Sequence, residues 1–183
     1  MLETITPDVI AQAQKGNASV IAELYEHYRV SVFRYFYYRV GDIQAAEDLT
    51  QEVFVRLLRA LGSYQVSNVS FDAWVFQIAR NLAIDYYRKS QGRSEVALES
   101  VQAVLADTDQ AGEHRLNSTL LRQALEQINE AQRDVIVLRF VNGLPINQVA
   151  QALHKSEDAV KGLQRRALSA LREILTSWEV EDV

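Results

Sequence analysis

Three clusters of side chains in this 183-residue chain have the types and spacing to make specific contacts. The first lies in SFDAWVFQIARNLAIDYYRK, residues 70–89. At about 100° per residue, Phe71, Trp74, Val75, Ile78, Ala79, Leu82 and Tyr86 share one side, and Gln77, Arg80, Asn81 and Arg88 share the other. Planar amides and guanidinium groups suit base edges and phosphates. Taken alone, the pattern is that of an ordinary amphipathic helix with a solvated polar face. The second cluster, Glu47, Asp48, Gln51 and Glu52, is acidic and one-sided. Carboxylates do acid–base chemistry where a pocket perturbs them, and nothing in this stretch suggests one. A solvated face is the default, and a docking surface for a basic partner is the sharper alternative. The third cluster is basic: Lys161, Gly162, Arg165, Ser169 and Arg172 share one side of a helical pattern, with Arg166 at its edge.

No catalytic, metal or cofactor site is expected. His27, His114 and His154 have no second ligand at helical spacing, and the chain has no cysteine. The seven glycines are isolated, so there is no phosphate-cradling loop, and there is no nucleophile elbow.

The elements that must position these clusters are helices. Two prolines, seven glycines and 48% hydrophobic residues favour a packed, mostly helical chain over an all-β one. Thr6 caps a short helix with Pro7 in its first turn, ending near Gly16. Ala18–Arg39 follows, and the aromatic run Phe33–Arg39 reads as core and rim packing. Gly41 stops it and Asp42 caps the next helix, from Ile43 to Leu61, with Leu49, Val53, Leu57 and Leu61 as its stripe. Residues 61–70 form a loop carrying a lone aromatic, Tyr64, and Ser70 caps the helix of the first cluster. From Ser90 to about Glu113 the amphipathic period dissolves into a flexible or weakly helical linker. Beyond it, Leu116, Leu120, Ala124, Leu125 and Ile128 mark a helix, and Asn129 caps another with Gln132 three residues on. Pro145–Leu153 and Ser156–Leu175, joined at His154-Lys155, have the layout of a helix-turn-helix and equally of a plain αα-hairpin with a solvated basic face. Gly162 costs about 1 kcal/mol against Ala in a helix interior, and it removes a side chain where a helix could approach a DNA backbone.

The expected architecture is all-α, with a domain over residues 1–90, a linker over 91–115 and a helix-turn-helix domain over 116–183. There is no basic segment followed by an apolar run at the N-terminus, and no apolar run long enough to span a membrane, so a cytoplasmic protein without membrane insertion is expected. The net charge of −5 counts against a protein that binds DNA tightly by itself. It suits one that meets DNA while held by a larger basic partner.

Taken together, five motifs in order resemble the extracytoplasmic-function subfamily of bacterial RNA polymerase sigma factors: AELYEHYRVSVFRYFYYRVGD, AEDLTQEVFVRLLRAL, FDAWVFQIARNLAIDYYRK, LRQALEQINEAQRDVIVLRFVNGLPINQVAQAL and KSEDAVKGLQRRALSALR. The resemblance implies roles that spacing does not. Glu47, Asp48, Gln51 and Glu52 would dock on the clamp-helix coiled coil of the largest subunit of core RNA polymerase, other core subunits adding contacts. Tyr64, Gln77, Arg80, Asn81 and Arg88 would bind the −10 element of promoter DNA, help melt it and capture a flipped base. Lys161, Arg165 and Arg166, flanked by Gly162 and Gln164, would read the −35 element. An anti-sigma factor would mask the polymerase-binding faces. Two departures stand out: Pro145 occupies the place of a frequent Ser or Thr cap, so Leu144 caps or the hydroxyl is forgone, and the loop 61–70 lacks a frequent basic residue. The rivals are a free-standing helix-turn-helix transcriptional regulator, dimeric and binding duplex alone, and a helical adaptor whose basic helix is only solvated.

Overall fold

A computed structural model describes residues 5–66, 69–90 and 111–181; most of the expected linker lies outside the described residues. Eight helices contain nearly all the regular structure, and no strand occurs among the described residues. They are α1 (Pro7–Gln14), α2 (Ala18–Val40), α3 (Ile43–Leu61), α4 (Phe71–Ser90), α5 (Ala111–Glu126), α6 (Glu130–Ile136), α7 (Ile146–Leu153) and α8 (Glu157–Glu181). α6 runs on as a π-helical turn, Val137–Val141.

The helix ends follow local chemistry. Thr6 Oγ1 accepts from the Val9 amide at 3.4 Å, Asp42 Oδ1 from Ala45 at 2.6 Å, Ser70 Oγ from Ala73 at 3.2 Å and Asn129 Oδ1 from Gln132 at 2.9 Å. Each satisfies an amide that the first helical turn leaves without a partner. Gly41 ends α2 at φ 83°, a left-handed conformation where a Cβ would be strained. Pro145 sits at the N-cap of α7 and offers no side-chain bond. Leu144 is therefore not the cap, and the hydroxyl is forgone. α5 begins at Ala111, inside the stretch read as linker, and Leu120, one of the residues that mark this helix, is exposed.

The first half packs α2, α3 and α4 around Val32, Phe36, Val53, Leu57, Val75 and Ala79, all buried. Burying each of the larger of these side chains stabilises by roughly 1.5–3 kcal/mol. The second half packs α6, α7 and α8 around Val135, Leu138, Val149, Val160 and Ala167. The two halves meet directly, α4 lying against α7 and α2 against the π-helical turn. This second contact explains the aromatic run. Tyr35, Phe36, Tyr37, Tyr38 and Arg39 are consecutive and all buried, because α2 is covered on both sides.

Candidate functional site

The acidic cluster stands on the outer side of α3, whose inner side carries Val53, Leu57 and Leu61 into the core. Asp48 and Gln51 are exposed, while Glu47 and Glu52 are half-buried. Asp48 accepts from Gln44 Nε2 at 3.3 Å, and Glu52 pairs with Arg56 at 2.9 Å. The four candidates lie together on the outer side of α3.

The basic cluster stands on α8. Val160, Ala167 and Leu171 are buried, which turns Lys161, Arg165, Arg166 and Arg172 outward, all exposed. Gln164 is half-buried. Ser156 Oγ caps the helix through the Ala159 amide at 3.2 Å, after a turn in which His154 takes φ 52°. A Cβ built on Gly162 would meet only the Arg166 guanidinium, at 3.5 Å. Packing within the chain therefore does not require this glycine, and its helix cost is borne for some other reason.

The α4 cluster has a different environment. Gln77 Nε2 donates to the Gln151 carbonyl of α7 at 2.9 Å, and Gln151 Oε1 accepts from the Ser70 amide at 3.0 Å. Arg80, about a quarter exposed, has its Nε 3.6 Å from Asp134 Oδ2 of α6. Only Asn81 and Arg88 of this set are exposed. Tyr64 is buried rather than displayed. Its ring packs on Phe71 and Trp74, with centroids at 5.1 and 4.7 Å, and its hydroxyl donates to the Val69 carbonyl at 3.0 Å. It nevertheless lines a cavity of about 450 Å³ beside Val69, Ser70, Phe71, Asp72 and, from α7, Gln148. Asp72 accepts from Tyr28 Oη at 2.7 Å, and burial, then the Asp72 charge, pushes the Tyr28 hydroxyl well above its ordinary pKa.

Sequence reasoning missed the group that links the two halves. Asp134, 3% exposed, accepts from Tyr35 Oη and from Arg39 Nε, both at 2.9 Å. Arg39, 1% exposed, also reaches Glu130 at 3.0 Å and lies over the Tyr87 ring, 4.8 Å from its centroid. Burial lowers the Arg39 pKa, but Asp134, Tyr35, Tyr87 and Glu130 outweigh it and the guanidinium stays charged. Burial, then the Asp134 charge, pushes Tyr35 well above its ordinary pKa. The available signal was a charged residue at an inward position of an aromatic run.

Residues 24–93 match the model for sigma-70 region 2, and residues 124–173 match sigma-70 region 4. The chain is 34% identical over 156 residues to the extracytoplasmic-function RNA polymerase sigma factor SigX of Bacillus subtilis, covering 81% of this chain and 80% of that one. The chain belongs to the extracytoplasmic-function sigma factors. It is also 37% identical to the sigma factor BldN of Streptomyces coelicolor, over 92% of its own length and 65% of BldN. Its fold is similar to that of CnrH, solved in complex with the cytosolic domain of CnrY, with a TM-score of 0.70 at 23% identity, covering 92% of this chain and 96% of that one. As an alternative sigma factor it directs RNA polymerase in transcription initiation and binds DNA. No described helix is long and apolar enough to cross a membrane.

Proposed function

We propose that the three clusters divide the work of promoter selection among α3, α4 and α8. The outer side of α3, with Asp48 and Gln51 exposed and Glu47 and Glu52 beside them, docks on the clamp helices of the polymerase's largest subunit. Gln77, Arg80, Asn81 and Arg88 of α4 take the −10 element, and the cavity beside Tyr64 receives an unpaired base. Capturing that base offsets the few kcal/mol that unstacking costs. Lys161, Arg165 and Arg166 read the −35 element in the major groove, Gly162 and Gln164 flanking them. The observation that carries this division is the outward row of cations on α8, set on the second helix of a two-helix unit whose opposite side buries Val149, Leu153, Val160, Ala167 and Leu171.

The protein has no catalysis of its own and acts in the cytoplasm, where its polymerase is. The net charge of −5 fits this role, because the core enzyme supplies much of the attraction to DNA. An anti-sigma factor that covers the docking faces belongs to the same proposal. The test is binding of labelled protein to core polymerase by anisotropy, then promoter binding by the holoenzyme. Asp48→Ala is expected to weaken core binding. Lys161→Ala with Arg165→Ala is expected to keep core binding and lose promoter use. A folded protein that does not bind core polymerase would overturn the proposal in favour of a free-standing regulator.

A further inference from the structure

The cavity beside Tyr64 is built from more than its own loop and α4. Ile5, Pro7 and Ile10, in and just before α1, line it together with Tyr64 and Asp72. α1 is capped by Thr6 and buries Ile10 and Ala13, and Gln14 is its last residue. Gly16 follows at φ 81° and turns the chain towards α2. From this corner the Gln14 side chain reaches the loop. Its Nε2 donates to the Leu61 carbonyl at 3.0 Å and to the Tyr64 carbonyl at 2.7 Å.

A side-chain amide carries two donors in a fixed fork, so one group can tie two carbonyls. The turn after α3 does not need this tie for its own sake. The Ser63 amide already donates to the Ala60 carbonyl at 3.0 Å, and the Tyr64 amide to Leu61 at 3.1 Å. The two bonds from Gln14 instead span 47 and 50 residues of sequence. They fix where the Tyr64 backbone stands relative to the end of α3. The rest of Tyr64 is held from the α4 side, its ring on Phe71 and Trp74 and its hydroxyl on the Val69 carbonyl. A wall fixed before a ligand arrives does not have to be ordered during binding, which spares the complex that entropy cost.

We infer that Gln14 is a positioning residue for the −10 element: it holds the Leu61 and Tyr64 carbonyls so that the cavity stands formed before an unpaired base enters. The role rests on the proposal above that this cavity takes a base. Gln14 does not touch that base; it acts through the Tyr64 backbone, and it makes α1 part of the promoter-opening surface. Leaving the stack already costs the base its neighbours, so a cavity that must also order itself captures fewer of them. A simple brace of the fold behaves differently. α3 ends at Leu61, so a brace there would support the docking side of α3 as much as the cavity. A positioning group affects the base and leaves docking alone.

Three variants of the full chain separate the hydrogen bonds from the packing. Gln14→Ala removes both donors, Gln14→Glu keeps the shape but can only accept, and Gln14→Lys restores donors. The probe is a fork-junction DNA that the unmodified holoenzyme retains from a pool whose single-stranded overhang is random. Affinity is read as a ratio to the same duplex without the overhang, which cancels the change of charge. Gln14→Ala and Gln14→Glu are expected to lower that ratio on the order of tenfold, as the loss of one or two neutral hydrogen bonds does, and Gln14→Lys to recover most of it. Core binding by anisotropy is expected to stay unchanged in all three. In the free Ala and Glu variants, hydrogen exchange at the Tyr64 amide is expected to quicken by a similar factor. An unchanged ratio in the Ala and Glu variants, an equal loss of core binding, or unchanged exchange at Tyr64 overturns the positioning role. An unmodified holoenzyme that retains nothing from the pool overturns base capture itself, and this inference with it.

Discussion

The polar sides of α4 and α8 are similar in sequence and opposite in circumstance. Both are rows of amide and cationic residues on long amphipathic helices. On α8 the row faces solvent, and Lys161 has a single weak pairing, 3.5 Å to Asp158. On α4 Gln77 and Arg80 are engaged by the second half of the same chain. Composition does not separate these two cases. What separates them is whether a complementary surface elsewhere in the chain can reach the row.

The contrast is sharpest at Asp134. Replacing it with Ala leaves Arg39 buried without its main partner, and is expected to cost the contact between the halves about 3–5 kcal/mol. The two tryptophans report this separately, Trp74 in α4 and Trp178 in α8. In urea the halves are expected to unfold together in the unmodified protein and apart, at lower denaturant, in the variant. Truncating exposed cations of α8 is expected to move the same midpoint by less than about 0.5 kcal/mol, and an equal loss at both sites would erase the distinction drawn here.

Arg165→Ala is expected to cost about 1–3 kcal/mol in holoenzyme binding to promoter DNA, measured by titration at fixed salt. A smaller effect follows from the buried hydroxyls of the first half. Tyr28 and Tyr35 ionise only far above the value of about 10 that they have in an unfolded chain. Above that pH the unfolded state releases protons that the folded state retains. Stability is therefore full below pH about 10 and falls as pH rises beyond it. Thermal melts at several alkaline pH values check the sign. Smallest is Gly162→Ala, expected to stabilise the protein by about 0.5–1 kcal/mol while weakening promoter binding. Unchanged promoter binding would remove the argument that the glycine serves close approach.

Helix positions were legible because their causes are local. Thr6, Asp42, Ser70 and Asn129 cap the helices they were expected to cap, and Gly41 stops α2. The acidic and basic clusters reach the surface because their periods set them opposite buried stripes. The contact between halves was not legible. Five consecutive buried residues, Tyr35 to Arg39, leave no helical period to read, and the partner of Arg39 is 95 residues away. Tyr64 shows the same limit on a smaller scale: the sequence marks it as a lone aromatic in a polar loop, and nothing local says that Phe71 and Trp74 draw it inward.

The 95 residues between Arg39 and Asp134 also order events at the ribosome. At about 5–20 residues per second, the carboxylate is made roughly 5–20 s after the guanidinium it will hold. The first half has by then been complete since α4. Until α6 and α7 have been made, Gln77 and Arg80 lack the partners that the second half gives them.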